Sequence, residues 1–209
     1  MTQKAHKGTL YIISAPSGAG KTSLVNALLP RLSNLKLSIS YTTRPARTGE
    51  VDGINYFFVD ETKFEQMVAA HRFMEYATVF DYHYGTSHDW VMETLAQGTD
   101  VILEIDWQGA RQCRIFHPDT VLIFILPPSK AILQQRLEER RLDSPEVIQR
   151  RMNDASKEMS HSHEYDYIVI NDDFSTALRE LEAIFMANRL KTHYQLAKNS
   201  TILDNLGSS

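Results

Sequence analysis

The 209-residue sequence predicts an α/β fold in which a parallel sheet is covered by helices on both faces. Four short apolar runs are each followed by a segment in which apolar residues recur at helical spacing. Strands that alternate with helices of this length are typical of parallel sheets. The predicted strands cover residues 9–14, 101–105, 121–126 and 167–170.

The first strand leads directly into a clear helical pattern. Residues 9–14 (TLYIIS) are mostly apolar, which favours a strand buried on both faces of a sheet. In the segment that follows, Leu24, Val25 and Leu28 recur at the spacing of one helix face. The other three strands are followed by similar patterns. The predicted helices cover residues 21–32, 108–116, 130–139 and 176–190.

Residues 41–97 interrupt this alternation, because they are rich in aromatic residues and alternate only weakly between apolar and polar. We predict a small inserted α+β lobe here, with short helices near residues 61–70 and 87–97. The chain then divides into a core domain (residues 1–40 and 98–197), the lobe, a polar lid within the core (residues 137–150) and a flexible tail (residues 198–209).

Composition excludes several classes of protein. With 43% hydrophobic and 23% charged residues the chain is expected to fold, and a net charge of −4 disfavours binding to nucleic acid or to a membrane surface. The single cysteine, Cys113, excludes an internal disulfide framework and fits a reducing compartment. The polar N-terminus does not read as a signal peptide. We therefore predict a cytoplasmic protein, and we leave open whether it forms a homo-oligomer.

A phosphate-binding loop lies between the first strand and its helix. Glycines let backbone N–H groups converge on phosphate oxygens, and the helix N-terminus adds positive potential. In such loops the lysine, here Lys21, reaches the β- and γ-phosphates, and the hydroxyl of Thr22 binds Mg²⁺. This motif predicts a P-loop NTPase-type core that binds ATP with Mg²⁺. The predicted ATP-binding residues here are Ala15, Pro16, Ser17, Gly18, Ala19, Gly20, Lys21, Thr22 and Ser23.

The loop has one departure from the usual pattern, because Ala15 replaces its first glycine. Alanine adopts positive φ less readily than glycine, so we expect the loop to accommodate a methyl group there. The spacing from Ala15 to Lys21 is unchanged, and the expected strand and helix flank the motif.

Two arginines in the inserted lobe suggest a second phosphate site. Arg44 and Arg47 could grip a nucleoside monophosphate through paired hydrogen bonds, and the hydroxyls of Tyr56 and Tyr84 could donate to the same group. Without the phosphate loop, a solvated loop with surface ion pairs would explain these arginines better.

The segment SYTTRPARTGEVDGINYFF (residues 40–58) resembles the signature of the guanylate kinase family, and the resemblance continues through most of the chain. The matching residues are Thr42, Thr43, Arg44, Arg47, Glu50, Gly53, Tyr56 and Phe58. The resemblance implies Mg²⁺-dependent transfer of the γ-phosphoryl group of ATP to GMP, and to dGMP as well. It assigns the GMP phosphate to Arg44, Arg47, Tyr56 and Tyr84, and Glu50 to the same site.

The resemblance also implies how guanine would be read. It places Ser40, Glu75, Thr86 and Glu104 around the base. Guanine offers N1–H and an amine as donors, which a carboxylate such as that of Glu75 would accept. Adenine would turn a lone pair toward the same carboxylate, so the site would select guanine. Taken alone, Glu75 and Thr86 would read as ordinary strand residues.

Glu104 and Asp106 alternate along the second predicted strand, so both are expected on one face. Glu104 would face the acceptor nucleoside. Asp106 has two interpretations: it supports the GMP and Mg²⁺ site, or it is the N-cap of the helix that begins at Trp107.

An arginine-bearing lid is predicted after the third strand. The resemblance assigns Arg136, Arg140 and Arg151 to it, where mobile arginines would neutralise charge on the transferring phosphoryl group. The alternative is a solvated helix whose arginines pair with Glu138 and Glu139. Asn171 follows the last strand, and the resemblance places it near the adenine of ATP.

Two other functions stay open. A non-catalytic binding module of the same family would lack the loop lysine, so Lys21 argues against it. A P-loop kinase with another acceptor, or a GTPase, is disfavoured by Glu75 and the arginine pair, and no Asn-Lys-x-Asp guanine motif of GTPases is present. The predicted chemistry is direct in-line transfer with no covalent intermediate on the enzyme.

Overall fold

The computed structural model of the protein describes residues 7–79, 81–139 and 144–207. The strands, in chain order, are β1 (Leu10–Ser14), β2 (Leu35–Leu37), β3 (Tyr41–Thr42), β4 (Phe57–Phe58), β5 (Phe73–Val79), β6 (Tyr82–Ser87), β7 (Asp100–Leu103), β8 (Val121–Leu126) and β9 (Tyr167–Ile170). The helices are α1 (Lys21–Leu28), α2 (Glu61–Ala69), α3 (His88–Ala96), α4 (Trp107–Phe116), α5 (Lys130–Glu139), α6 (Pro145–Ser160), α7 (Phe174–Arg189), α8 (Thr192–Lys198) and α9 (Ser200–Gly207).

The core sheet is parallel and has the strand order β2-β7-β1-β8-β9. The four strands expected from sequence are present, which confirms the predicted parallel sheet. The fifth strand, β2, was not predicted. It consists of three partly exposed residues at the sheet edge, and so short a segment carries no recognisable periodicity.

Helices cover both faces of this sheet because strand side chains alternate. Tyr11 and Ile13 of β1 pack into the hydrophobic cluster that includes α1 and α7. Leu10 and Ile12 of the same strand point to the opposite cluster, which α3 and α4 cover. All four side chains are nearly or fully buried, as expected for a strand covered on both sides.

The segment between β2 and β7 contains a second sheet, in the order β4-β3-β6-β5, together with helices α2 and α3. Phe64 of α2 is buried against this sheet, with its ring centroid 4.7 Å from that of Phe73 and 5.4 Å from that of His83. The structure therefore places a second sheet and two helices in this segment, and their role as a separate lobe stays a prediction.

The chain returns from the insertion to the core at Asp100, which is buried and held on both of its oxygens. Oδ1 accepts a 2.7 Å hydrogen bond from the Thr9 amide, and Oδ2 accepts a 2.8 Å bond from Nε of Arg189. This carboxylate thereby joins the beginnings of β1 and β7 to the end of α7.

In the C-terminal segment, where a flexible tail was predicted, α9 occupies Ser200–Gly207. This short stretch is polar in composition, and its helical pattern was not recognised from sequence. In the lid, α5 ends at Glu139 and α6 begins at Pro145. Among the residues that the structure describes, no helix combines the length and apolarity needed to cross a bilayer.

Candidate active site

A cavity of about 330 Å³ opens between the loop after β1, the end of β7 and the inserted lobe. It gathers residues that are widely separated in sequence, from both the predicted ATP site and the predicted GMP site. The predicted residues that line it are Ala15, Pro16, Ser17, Gly18, Gly20, Lys21, Thr22, Ser23, Ser40, Arg44, Arg47, Glu50, Tyr56, Glu75, Tyr84, Glu104, Asp106 and Arg151.

The loop after β1 has the backbone of a phosphate cradle. Gly18 and Gly20 have φ of 95° and 93°, a region that other residues avoid. Ala15 is not among the described residues with positive φ, so its methyl group replaces glycine without backbone strain. Helix α1 begins at Lys21, which places its N-terminal end at the cavity.

Asn171 supports this loop from behind. Its buried side-chain amide donates a 2.7 Å hydrogen bond to the carbonyl of Ala19. A Cβ atom on Gly20 would lie 2.3 Å from Nδ2 of Asn171, so a larger residue at position 20 would displace this contact. Asn171 therefore orders the loop, and the contact with adenine predicted for it would be a separate role.

Arg136 lies outside the main cavity, in an adjoining one of about 370 Å³ that Gly18, Gly20 and Asn171 also line. Its Nη2 donates a 3.0 Å hydrogen bond to the carbonyl of Asn171, and its Nη1 is buried without a hydrogen-bond partner among the described residues. Arg151 lines the main cavity, so the structure separates two arginines that the sequence grouped together. The third, Arg140, lies outside the described residues.

The two arginines of the lobe are organised by one carboxylate. Nη2 of the buried Arg44 donates a 2.7 Å hydrogen bond to Oε1 of Glu50, and the backbone amide of Arg47 donates one of 2.7 Å to Oε2. The hydrogen bond from Arg44 lowers the pKa of Glu50, which keeps this carboxylate ionised. The surface interpretation of Arg44 is thus wrong, and Glu50 orients it toward the cavity that both residues line.

The Arg44 guanidinium also lies 5.3 Å from the ring centroid of Tyr56, whose ring is 5.9 Å from that of Tyr84 in an edge-on arrangement. Three predicted phosphate-binding side chains therefore form one contiguous group. Because guanidinium and hydroxyl groups donate hydrogen bonds, this wall of the cavity suits an anion.

Glu75 on β5 is a buried carboxyl group at the far end of the cavity. It is 3% exposed, and the hydroxyl of Thr86 donates a 2.6 Å hydrogen bond to its Oε1. Burial raises the pKa of Glu75 to about 7, although the bond from Thr86 opposes the shift. Thr86 itself is fully buried and does not line the cavity, so in this structure its hydroxyl orients Glu75.

The other carboxylate oxygen of Glu75 approaches the backbone of α4. A Cβ atom on Gly109 would lie 2.4 Å from Oε2 of Glu75. Glycine at this position therefore leaves the room that the carboxylate occupies. Helix propensity alone would favour alanine here by up to about 1 kcal/mol, so the glycine serves the site rather than the helix.

Replacing Gly109 with alanine is expected to displace Glu75 and to raise KM for GMP on the order of 10-fold, while KM for ATP changes less than 2-fold. Steady-state kinetics with each substrate varied in turn would measure this. Gln66→Ala, which introduces alanine at an exposed helix position away from the cavity, serves as control and should leave both constants unaltered. An equal rise in both constants for Gly109→Ala would contradict the assignment.

Glu104, Ile105 and Asp106 follow β7, and all three line the cavity, although Ile105 is largely buried. Oδ1 of Asp106 accepts a 3.0 Å bond from the amide of Gly109, so the N-cap interpretation is confirmed. Since Asp106 also lines the cavity, the capping contact fixes it in the cavity wall. The two interpretations are therefore compatible.

Oxygen atoms near the loop are suited to a hard cation. The Thr22 hydroxyl lies 3.5 Å from Oε2 of Glu104, whose Oε1 is buried without a partner among the described residues. The described part of the chain contains no cluster of three His, Cys, Asp or Glu side chains that could hold a metal. This donor set fits Mg²⁺, which commonly uses few protein ligands and takes the rest from substrate phosphates and water.

Four residues of the cavity wall were missed from sequence: Ala77, Val79, Ile105 and Glu158. Two of them follow Glu75 at intervals of two along β5, so strand alternation could have placed them on the same face. Glu158 lies seven residues after Arg151, which is two helical turns and the same side of α6. That spacing was available, but residue 158 resembles any solvated glutamate.

Comparisons with known proteins agree with this geometry. Residues 7–188 match the family model described as guanylate kinase. The chain is 58% identical to a guanylate kinase of Alcanivorax borkumensis over 97% of this chain and 98% of that one. It is 51% identical to a guanylate kinase of Coxiella burnetii over 96% and 98% of the two chains. The crystal structure of guanylate kinase from Anaplasma phagocytophilum is 31% identical and superposes with a TM-score of 0.76, covering 90% of this chain and 89% of that one. The chain belongs to the guanylate kinase family.

Proposed function

We propose that this member of the guanylate kinase family transfers the γ-phosphoryl group of ATP directly to the phosphate of GMP inside the single cavity. The observation that carries the proposal is that the phosphate loop and the Arg44–Glu75 pocket line the same 330 Å³ space. Two anionic substrates bound at these places would meet phosphate to phosphate. Such proximity lowers the barrier for in-line transfer.

On the donor side, the loop amides and Lys21 hold the ATP phosphates, and the Thr22 hydroxyl would hold Mg²⁺. The metal would supply positive charge against the phosphate oxygens. The protein's contribution is a rigid loop: Asn171 fixes Ala19, and the positive φ of Gly18 and Gly20 turns the backbone amides inward.

On the acceptor side, Arg44, Arg47, Tyr56 and Tyr84 bind the GMP phosphate and aim its oxygen at the donor. No strong general base is needed, because this phosphate is already anionic. Glu75 accepts the N1–H and amine hydrogens of guanine, oriented by Thr86. The remaining predicted base contacts are Ser40 and Glu104, both of which line the cavity.

The lid completes the site. Arg151 faces the cavity. Arg136 lies on the adenine side, and Arg140 belongs to the lid segment 137–150. When the substrates are bound, these arginines neutralise the transferring group and exclude water, which would otherwise hydrolyse ATP. The core, lobe and lid divisions predicted from sequence and the cytoplasmic location stay predictions, and the oligomeric state stays open.

A coupled assay with Mg²⁺ and ATP, offering GMP, dGMP, AMP, UMP and CMP in turn, tests the function. We expect turnover with GMP and dGMP, and at least about 10⁴-fold lower kcat/KM with AMP, since adenine leaves the buried Glu75 unsatisfied. Omission of Mg²⁺ should abolish turnover. Preference for AMP over GMP would contradict the acceptor assignment.

A further inference from the structure

Glu158 is a carboxyl group in the wall of the active cavity to which the mechanism above gives no role. It lies in the last turns of α6 and lines the cavity together with Lys21, Asp106 and Arg151. Its Oε2 is buried and has no hydrogen-bond partner among the described residues. A buried carboxylate oxygen without a partner is costly, which points to a donor that approaches it when the substrates bind.

The end of α6 that carries Glu158 is fixed to the core. The ring of His161 stacks on Trp107, the first residue of α4, with centroids 3.8 Å apart. Arg111, one turn further along α4, donates two hydrogen bonds of 2.6 Å to Glu164. These contacts hold the end of α6 against α4 and so hold Glu158 beside the cavity.

Lys21 lines the cavity together with Glu158, and its charge acts on that carboxyl group. Burial raises the pKa of Glu158 to about 7, the charge of Lys21 opposes this shift, and Asp106 and Asp154 add to it. The geometry agrees, because Lys21 and Glu158 line one cavity. Arg44, another cation that lines the cavity, forms its ion pair with Glu50 and not with Glu158.

The chemistry of an ammonium group explains why a carboxyl group would be useful at this place. Lysine offers three N–H donors on a flexible stem and has no fixed orientation of its own. Two donors are used when it bridges the β- and γ-phosphates. A third donor directed at a rigid acceptor would fix the ammonium group between the phosphates.

We infer that Glu158 is a positioning residue for Lys21, accepting one ammonium hydrogen bond while the ATP phosphates accept the other two. The inference rests on the proposed role of Lys21 in holding ATP. This hydrogen bond would give the end of α6 a direct contact with the donor site. A competing explanation is purely structural, since the hydroxyl of Tyr165 is also buried without a hydrogen-bond partner among the described residues, and the charge of Glu158 adds to the effect of burial in raising its pKa.

Glu158→Met, which keeps the length but removes the acceptor, tests the inference. We expect kcat to fall on the order of 10²-fold, as for a misplaced catalytic group, with KM for GMP within 2-fold of wild type. Glu158→Gln keeps an acceptor oxygen and should recover most of the activity. Tyr165→Phe, which removes the alternative partner, and the matched charge control Asp154→Asn should both retain wild-type kcat.

Combination with a lysine variant separates positioning from stability. If Glu158 acts only through Lys21, the double variant Lys21→Met/Glu158→Met should be no slower than Lys21→Met alone. Additive losses, or wild-type kcat in Glu158→Met, would overturn the inference. Should Glu158→Met not fold, as judged by GMP binding and thermal unfolding, Glu158→Asp replaces it, because the retracted carboxylate should also lower kcat. Full activity of Lys21→Met would instead contradict the donor site itself.

Discussion

Replacing Lys21 with methionine is expected to lower kcat by about 10³-fold or more, because the variant removes the charge that stabilises the transferring phosphoryl group. Methionine nearly preserves the volume of the side chain, so the loop should keep its shape. The GMP pocket is formed by the lobe, and it shares the cavity but no side chain with the donor site. We therefore expect the affinity for GMP to stay within about 3-fold of wild type.

Initial rates from the coupled assay and GMP titration by calorimetry would measure the two quantities separately. Lys36→Met is the matched control, because Lys36 is exposed on β2 and does not line the cavity. Wild-type turnover in Lys21→Met would show that the donor site is elsewhere. Loss of GMP binding would show that the variant disturbs the lobe.

The second large effect is expected at Glu75. In Glu75→Gln, the side chain has a single acceptor oxygen and adds an NH₂ group opposite the guanine donors, so we expect kcat/KM for GMP to fall by about 10³-fold. Affinity for ATP should change less than about 2-fold, because the loop after β1 is unaltered. Glu65→Gln, on the exposed side of α2, makes the same chemical change away from the cavity and should have no effect.

Glu75 also predicts a dependence on pH. Burial raises its pKa from the ordinary 4.5 to about 7, so the folded protein binds a proton between these values that the unfolded chain has released. The free energy of unfolding should therefore decrease as pH rises from 4.5 through 7, and Glu75→Gln should lose this contribution. GMP binding needs the ionised carboxylate, so affinity for GMP should increase over the same interval.

Denaturant unfolding and GMP titration at several pH values would test both trends, with wild type and Glu75→Gln compared. Glu158 titrates in the same range, so only the difference between the two proteins isolates Glu75. Equal losses of GMP and ATP affinity in Glu75→Gln would contradict the base-reading role.

The core sheet was predictable because its strands are buried on both faces and are followed at once by helices. Residues 121–126 and 167–170 were placed to the residue. β2 was not, because its pairing with β7 is decided by long-range contacts and not by its own three residues. Helix α9 was not predicted either, although its own sequence carries a local helical periodicity, because the polar composition of the segment suggested disorder.

The candidate active site shows the same contrast between features visible in the local sequence and features that depend on long-range contacts. Residues that belong to a recognisable motif, such as Lys21 and Arg44, were named from sequence, and the structure places both in the cavity wall. Those whose importance depends on burial were found only in the structure, and Glu158 is the clearest example. Thr86 shows a third case, since the residue was named but its described partner is Glu75. Sequence identifies which groups are present, and packing decides which group each one meets.

Asp100 lies where the chain passes from the inserted lobe back into the core sheet. Both of its oxygens accept hydrogen bonds, one from the Thr9 amide and one from Arg189 of α7, so this residue is tied to the core on two sides. We therefore expect a rotation of the lobe to be taken up before Asp100, where Gly98 already has φ of 77°. A hinge at that position would move the acceptor pocket and leave the pairing of β1 with β7 unchanged.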